Sequence, residues 1–305
     1  MVMVEVADLT KVYPNGTQAN VGLNLTVHEG EVVGVIGPNG AGKTTLIRQL
    51  LGLLKPTSGR IRILGCDVVS HPHVIKGRVG YAPQLPGTYP SHTVAEVISF
   101  VLRLKGLRGA ALRARVMETL ALVGLEQSAG LFGYQLSSGM AKLVLLGMAI
   151  CQNPPVLILD EPTAMVDIER KERVWQAIAA SGARGILLAS HDINEVRKHC
   201  TRVYLMVGGK FIAEGPPHEI AALTRLSTVL TLVADNSQRV EEVLVESGDT
   251  FSRKGEVFEI VFPELGMALS RLELIQQGTA LRYVHLEAPS LERAVKHLLR
   301  EERAK

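Results

Sequence analysis

This sequence carries no large excess of either positive or negative charge. Against 33 lysines and arginines stand 30 aspartates and glutamates, a formal balance of +3. The basic stripe by which nucleic-acid binders grip phosphates is absent, so no nucleic-acid partner is expected. Cysteine is scarce too. Cys66, Cys151 and Cys200 lie far apart, make no metal-spacing pair, and are odd in number, which argues against a disulfide framework. A reducing, cytosolic setting is the expectation. No run approaches the ~18 consecutive apolar residues of a membrane span. No direct span is therefore expected, and any membrane role goes through a partner. The opening Met1-Val2-Met3-Val4-Glu5-Val6 lacks the basic start and longer apolar run of a signal peptide and reads as a strand.

What is present is a core-forming chain, 47% hydrophobic over 305 residues, enough for one large domain or two. Its most informative stretch is Gly37-Pro38-Asn39-Gly40-Ala41-Gly42-Lys43-Thr44. Ahead of it Val32–Ile36 is short, β-branched and uncharged, the profile of a strand buried on both faces. Behind it Thr45–Leu51 repeats apolar residues at helical spacing. Strand, glycine loop and helix together predict a nucleoside triphosphate site. Glycines let backbone N–H groups curl around phosphate oxygens, and the helix start adds partial positive charge. Lys43 would reach the β- and γ-phosphates and the Thr44 hydroxyl would ligate Mg²⁺.

A second signal is Pro155-Val156-Leu157-Ile158-Leu159-Asp160-Glu161, a buried strand with carboxylates at its carboxyl end. Asp160 would hold Mg²⁺, and Glu161 would accept a proton from the attacking water or orient it. Strand 186–189 similarly runs into Ser190-His191-Asp192. Spacing alone leaves His191 open between a structural and a phosphate-facing role. Spacing alone likewise leaves Gln84, past the short strand at 79–82, open between a surface polar residue and a ligand-facing one, and Tyr13, the one aromatic of the antiparallel opening strands, open between a half-buried strand tyrosine and an adenine-stacking one. Those strands are expected at 3–7, 9–13, 23–27 and 60–65, with a turn at Pro14-Asn15-Gly16. Helices are expected at Thr93–Lys105, capped by Thr93 and stopped by Gly106, at Ala110–Val123, and at Leu143–Cys151 behind Leu136-Ser137-Ser138-Gly139-Met140. The cations Arg103, Lys105, Arg108, Arg113 and Arg115 read as a solvated face.

Taken in order, these pieces resemble the ATP-binding subunit of ABC transporters over residues 1 to about 222. The resemblance implies an α/β P-loop NTPase core: a mixed sheet, an antiparallel β-subdomain and a helical subdomain at about 90–150. It implies ATP and Mg²⁺ as cofactors and an ATP hydrolase coupled to transmembrane transport. Tyr13 matches the adenine-stacking aromatic, residues 37–44 with Thr45 the phosphate loop, and Gln84 the loop glutamine that senses Mg²⁺ and the transmembrane partner. Ser137 and Gly139 match the signature that contacts ATP held by a second copy, Asp167 the aspartate that follows, and His191 the switch histidine. The partners implied are a permease and an ATP-sandwiched homodimer, placed at the cytoplasmic face of the membrane. Ser138 and Met140 replace a glycine and a glutamine, and Met165 and Val166 replace a glycine and a leucine; Met140 is similar to the drug- and antibiotic-export branch.

After Leu223 the periodicities change. Strands at 229–234, 250–253, 257–262 and 281–286 with helices at 239–246, 267–277 and 291–300 predict an α+β, ferredoxin-like accessory or regulatory domain over 225–305. It has no cysteine and no glycine-rich anion loop. Its Pro289-Ser290-Leu291-Glu292 is similar to the tail of export-branch ATPases, which favours export of a drug, antibiotic or lipid-like substrate. An importer whose C-terminal domain senses its ligand, and a soluble non-transport ATPase, are the rival readings.

Overall fold

The computed structural model describes residues 1–84, 89–223 and 227–304. It divides into two compact units, Met1–Pro216 and Pro217–Lys305. The first holds β1 (Val2–Val12), β2 (Gln18–His28), β3 (Val32–Ile36), α1 (Lys43–Leu50), β4 (Ser58–Ile63), β5 (Cys66–Asp67), α2 (Pro72–Lys76) and β6 (Val79–Ala82). It continues through α3 (Val94–Leu104), α4 (Gly109–Val123), α5 (Ser138–Ile150), β7 (Val156–Asp160), α6 (Ile168–Ala179), β8 (Gly185–Ser190), α7 (Ile193–His199), β9 (Arg202–Val207) and β10 (Lys210–Gly215).

Two sheets form, and their burial patterns follow from composition. Strands β7 and β8 are buried at every residue, as uninterrupted apolar runs are when helices cover both faces. With β3, β6 and β9 they make a parallel sheet, closed on one side by antiparallel β10, in the order β10-β9-β3-β8-β7-β6. The alternating strands form a separate antiparallel sheet, β2-β1-β4-β5. Met3, Val4, Leu23 and Ile61 from it share one apolar core with Val33, Leu46 and Ile158.

Register then sets the site. Ile36 lies opposite Ser190, and Asp160 opposite Ala189. The carboxyl ends of β3, β8 and β7 are therefore level, and the segments that leave them emerge along one sheet edge.

Three local expectations shift. The helix expected from Leu143 begins at Ser138, because Ser137 takes the N-cap and its hydroxyl accepts from the Met140 N–H at 3.2 Å. The strand expected through Gly65 ends at Ile63, where Leu64 (φ 52°) and Gly65 (φ 76°) turn the chain into β5. Arg115 leaves the solvated face: its Nε donates to the Cys151 carbonyl at 2.7 Å and its guanidinium pairs with Glu118. Thr93 does cap α3, in a reciprocal box with Glu96.

The second unit contains α8 (Pro217–Leu223), β11 (Thr228–Ala234), α9 (Ser237–Glu246), β12 (Phe251–Lys254), β13 (Val257–Phe262), α10 (Leu265–Gln276), β14 (Leu281–Glu287) and α11 (Leu291–Ala304). Its antiparallel sheet runs β12-β13-β11-β14, a βαββαβ unit with a trailing helix. Val240 and Leu244 of α9 and Ala268 and Ile275 of α10 share a core with Leu230, Leu232, Phe258 and Ile260. Helix α8 packs on α11, which places residues 217–222 with this unit, ahead of the expected boundary. Residue 225, the expected start of the second domain, lies outside the described residues.

Candidate nucleotide site

The chain leaves β3 into a loop that wraps its own lysine. Lys43, 7% exposed, opens α1 and donates from Nζ to the carbonyls of Gly37 at 2.6 Å and Pro38 at 3.1 Å. Burial lowers the Lys43 pKa, and the facing Glu161 and Asp160 carboxylates pull it back up. The glycines are required by approach as much as by curvature. A Cβ at Gly37 would stand 2.1 Å from the Met206 carbonyl, and one at Gly42 (φ 111°) 2.2 Å from the Ala19 carbonyl.

Gly42→Ala is therefore expected to lower stability by more than about 2 kcal/mol, since backbone strain and a backbone clash coincide there. Gly40→Ala (φ 80°), where nothing lies within 4 Å of the new Cβ, should cost only about 1 kcal/mol of strain. Denaturant midpoints of the two variants check the contrast. Equal losses would show that the clash at Ala19 is relieved cheaply.

Around this loop lies a cleft of about 490 Å³. Of the residues expected to bind nucleotide or metal, Tyr13, Asn39, Gly40, Ala41, Gly42, Lys43, Thr44, Thr45, Gln84, Asp160 and Glu161 line it together. Gly37 and Pro38 contribute through the carbonyls that hold Lys43. The Tyr13 hydroxyl lies 3.4 Å from Thr45 Oγ1, and Thr44 Oγ1 donates to Asp160 Oδ2 at 3.4 Å. Desolvation and the neighbouring Glu161 raise the Asp160 pKa, opposed by Lys142, the Thr44 bond and Lys43.

Glu161 is buried and sits at φ 51°, a left-handed conformation uncommon for a residue with a Cβ. Its N–H donates to the Ala189 carbonyl at 2.9 Å, pinning the turn to β8. Across it His191, 62% exposed, brings Nδ1 to 2.8 Å from Glu161 Oε2. The histidine joins the site through this carboxylate and does not line the cleft.

The remaining expected residues are not gathered at the cleft of their own chain. Ser137 caps α5 and Gly139 lies in its first turn. Asp167 caps α6, accepting from the Arg170 N–H at 2.9 Å and pairing with its guanidinium at 3.3 Å. Met165 adopts φ 65°, a conformation that suits glycine and marks this loop as strained.

The residues fit the groups expected of them. The backbone cradle and buried cation suit a polyphosphate. The hard oxygens of Thr44, Asp160 and Gln84 suit Mg²⁺, which is held by one or two carboxylates together with substrate phosphates. Among the described residues no group of three His, Cys, Asp or Glu could hold a metal ion.

Several contributors carried no motif. Thr17, Gln18, Ala19, Gly208 and Gly209 complete the cleft wall. Asn20 donates to the Gly42 carbonyl at 3.3 Å and accepts from Gln49 at 2.6 Å, bracing the loop from behind. Lys142, buried on α5, donates to the Pro83 carbonyl at 2.9 Å, just before Gln84, and to the Asp160 carbonyl at 3.5 Å. Burial pushes its pKa down to about 8, against the pull of Asp160, Glu161 and Glu195. A lone cation inside the otherwise apolar run after Met140 is the sequence signal that could have found it.

A family model described as ABC transporter matches residues 21–164. The Nod factor export ATP-binding protein I of Paraburkholderia xenovorans is 33% identical over 269 residues, 88% of each chain. The chain belongs to the ABC transporter family. The protein of the same name from Ralstonia nicotianae is 32% identical over 256 residues, 83% of this chain and 79% of that one. Among solved structures, an ABC transporter ATP-binding subunit aligns with TM-score 0.67 at 28% identity, covering 73% of this chain and 93% of its own. A dimeric post-hydrolysis ATP-binding cassette bound to ADP and Pi aligns with TM-score 0.66 at 28% identity, covering 70% and 98%. This ABC ATPase subunit binds ATP with Mg²⁺ and hydrolyses it to drive transport. Among the described residues no helix is long and apolar enough to cross a membrane.

Proposed function

We propose that two copies of this subunit pair head to tail, each ATP held between the glycine cradle of one and the Ser137–Gly139 helix start of the other. The observation that carries the reading is the separation of two phosphate-binding features within one chain. The cradle lines the cleft, while the serine-capped start of α5, exposed at Ser137 and Ser138 and buried at Gly139, is not part of its lining. A helix N-terminus offers N–H groups and partial positive charge to an anion, and a second copy supplies that anion. The dimeric ADP- and Pi-bound relative supports the arrangement.

In this reading Tyr13 stacks on adenine, Lys43 binds the β- and γ-phosphates, and Thr44, Gln84 and Asp160 hold Mg²⁺. Mg²⁺ held by these residues would neutralise phosphate charge and polarise the γ-phosphoryl group. Glu161 takes a proton from water as the water oxygen bonds to the γ-phosphorus and the bond to the departing ADP oxygen breaks. His191 steadies that carboxylate through Nδ1 and leaves Nε2 for the γ-phosphate. Asp167 lies at the facing surface between copies. The dimer powers a separate permease at the cytoplasmic face of the membrane, exporting a drug-, antibiotic- or lipid-like substrate; the export names of the relatives support that direction. The C-terminal domain regulates or braces the pair.

Size-exclusion chromatography of the Glu161→Gln variant tests the pairing. With ATP and Mg²⁺ it should elute as a dimer and without nucleotide as a monomer. A monomer under both conditions counts against the shared site. Co-purification with a polytopic membrane protein tests the permease.

A further inference from the structure

Glu195, on α7, belongs to no motif and does not line the cleft, yet it is 8% exposed and ringed by donors. Thr163 Oγ1 donates to its Oε1 at 2.7 Å and Trp175 Nε1 to the same oxygen at 3.2 Å. Ser190 Oγ donates to Oε2 at 2.7 Å. Desolvation raises the pKa of this carboxyl, and the bonds from Thr163 and Ser190 lower it. Taking a carboxylate out of water without a hydrogen-bonded cation is costly, so three donors converging on it mark a built arrangement.

The origin of the donors gives it meaning. Thr163 follows Glu161 by two residues, and Ser190 immediately precedes His191. The two segments that carry the facing carboxylate and imidazole thus end on one shared anchor. The ring closes further on: Ser190 Oγ accepts from the Asp192 N–H at 3.1 Å, and Asp192 caps α7 through the N–H groups of Asn194 and Glu195. Lys171 of α6 pairs with Asp192 at 3.0 Å.

We propose that Glu195 is a positioning residue for ATP hydrolysis, bonding Thr163 and Ser190 so that Glu161 and His191 stay in register. The proposal rests on the reading of Glu161 and His191 as the hydrolytic pair. A small displacement of such a pair costs rate and leaves affinity alone, because the cradle that binds phosphate is built elsewhere. Glutamine at 195 preserves shape but sets an amide donor against the donors that converge there.

The test is steady-state ATPase of the full chain. Glu195→Gln should lower kcat by ~10-fold or more while the KM for ATP stays within ~2-fold, the pattern of misplaced reacting groups. Ser190→Ala should lower kcat too, and the double variant should be no slower than the worse single one, since both release the same brace. Trp175→Phe removes only the donor from α6, which carries neither reacting residue, and should keep kcat within ~2-fold. Trp175 is the only tryptophan, stacked on His199 at 3.9 Å, so its emission reports on the network and should shift in Glu195→Gln. Unchanged kcat in Glu195→Gln, or losses that add in the double variant, would overturn the proposal. Should Glu195→Gln not fold, Ser190→Ala decides alone: lowered kcat at constant KM supports the brace and parent kcat overturns it. Glu161→Gln run in parallel separates the two failures. Parent-rate turnover there rejects the hydrolytic pair itself, whereas slow Glu161→Gln beside fast Glu195→Gln rejects only the brace.

Discussion

Replacing Glu161 by glutamine is expected to leave ATP binding intact and to slow turnover by ~10²-fold or more, the loss that accompanies removal of a general base. The carboxylate stands one residue past Asp160 at the end of β7, buried, with its backbone pinned to Ala189 and its Oε2 on His191. Glutamine fits the same space and can still bond His191, so the cradle and its lysine keep their geometry. What it lacks is affinity for a proton. Phosphate release gives the rate and calorimetry the affinity; a variant turning over at the parent rate would show that another group accepts the proton. The geometry also sharpens the role of His191. Its Nδ1 is committed to Glu161, so of its two ring nitrogens only Nε2 is left to face a phosphate.

The parts of this site legible in sequence are those written in consecutive residues. An uncharged β-branched run, a glycine loop and a helical repeat specify strand, cradle and helix locally. Carboxylates ending an apolar strand mark the second phosphate motif for the same reason. Sheet order is not local. Strand β8 lies between β3 and β7, and it is this insertion that brings His191 against Glu161. The partners of Lys142, Asn20 and Glu195 are likewise fixed by packing across distant segments, 59 residues apart for Lys142 and Pro83. Helix α6 carries Trp175 and the Asp167 cap, yet its charged run, Arg170-Lys171-Glu172-Arg173, hid its place beside the site. The cleft wall at Gly208-Gly209 had a readable cue, a glycine pair between two strands, which marks a tight hairpin.

Lys43→Ala is expected to weaken ATP binding by ~10²-fold or more. Hydrogen bonds to a charged group contribute about 1.5–3 kcal/mol each, and every 1.4 kcal/mol is about tenfold in affinity. In the free protein the ammonium holds the carbonyls of Gly37 and Pro38 and faces both carboxylates. Its loss therefore acts twice. The loop gives up the bonds that close it, and Asp160 and Glu161 lose the cation that faces them from the loop, so the wall that must receive a triphosphate becomes more negative even with Lys142 behind it. Lys142 cannot take its place, since it bonds Pro83 and Asp160 from outside the cleft and is not part of its lining. Calorimetry with ATP and Mg²⁺ on the folded variant reads the change. Parent affinity there would mean that the backbone cradle alone carries the phosphate, and that the buried lysine serves only to close the loop.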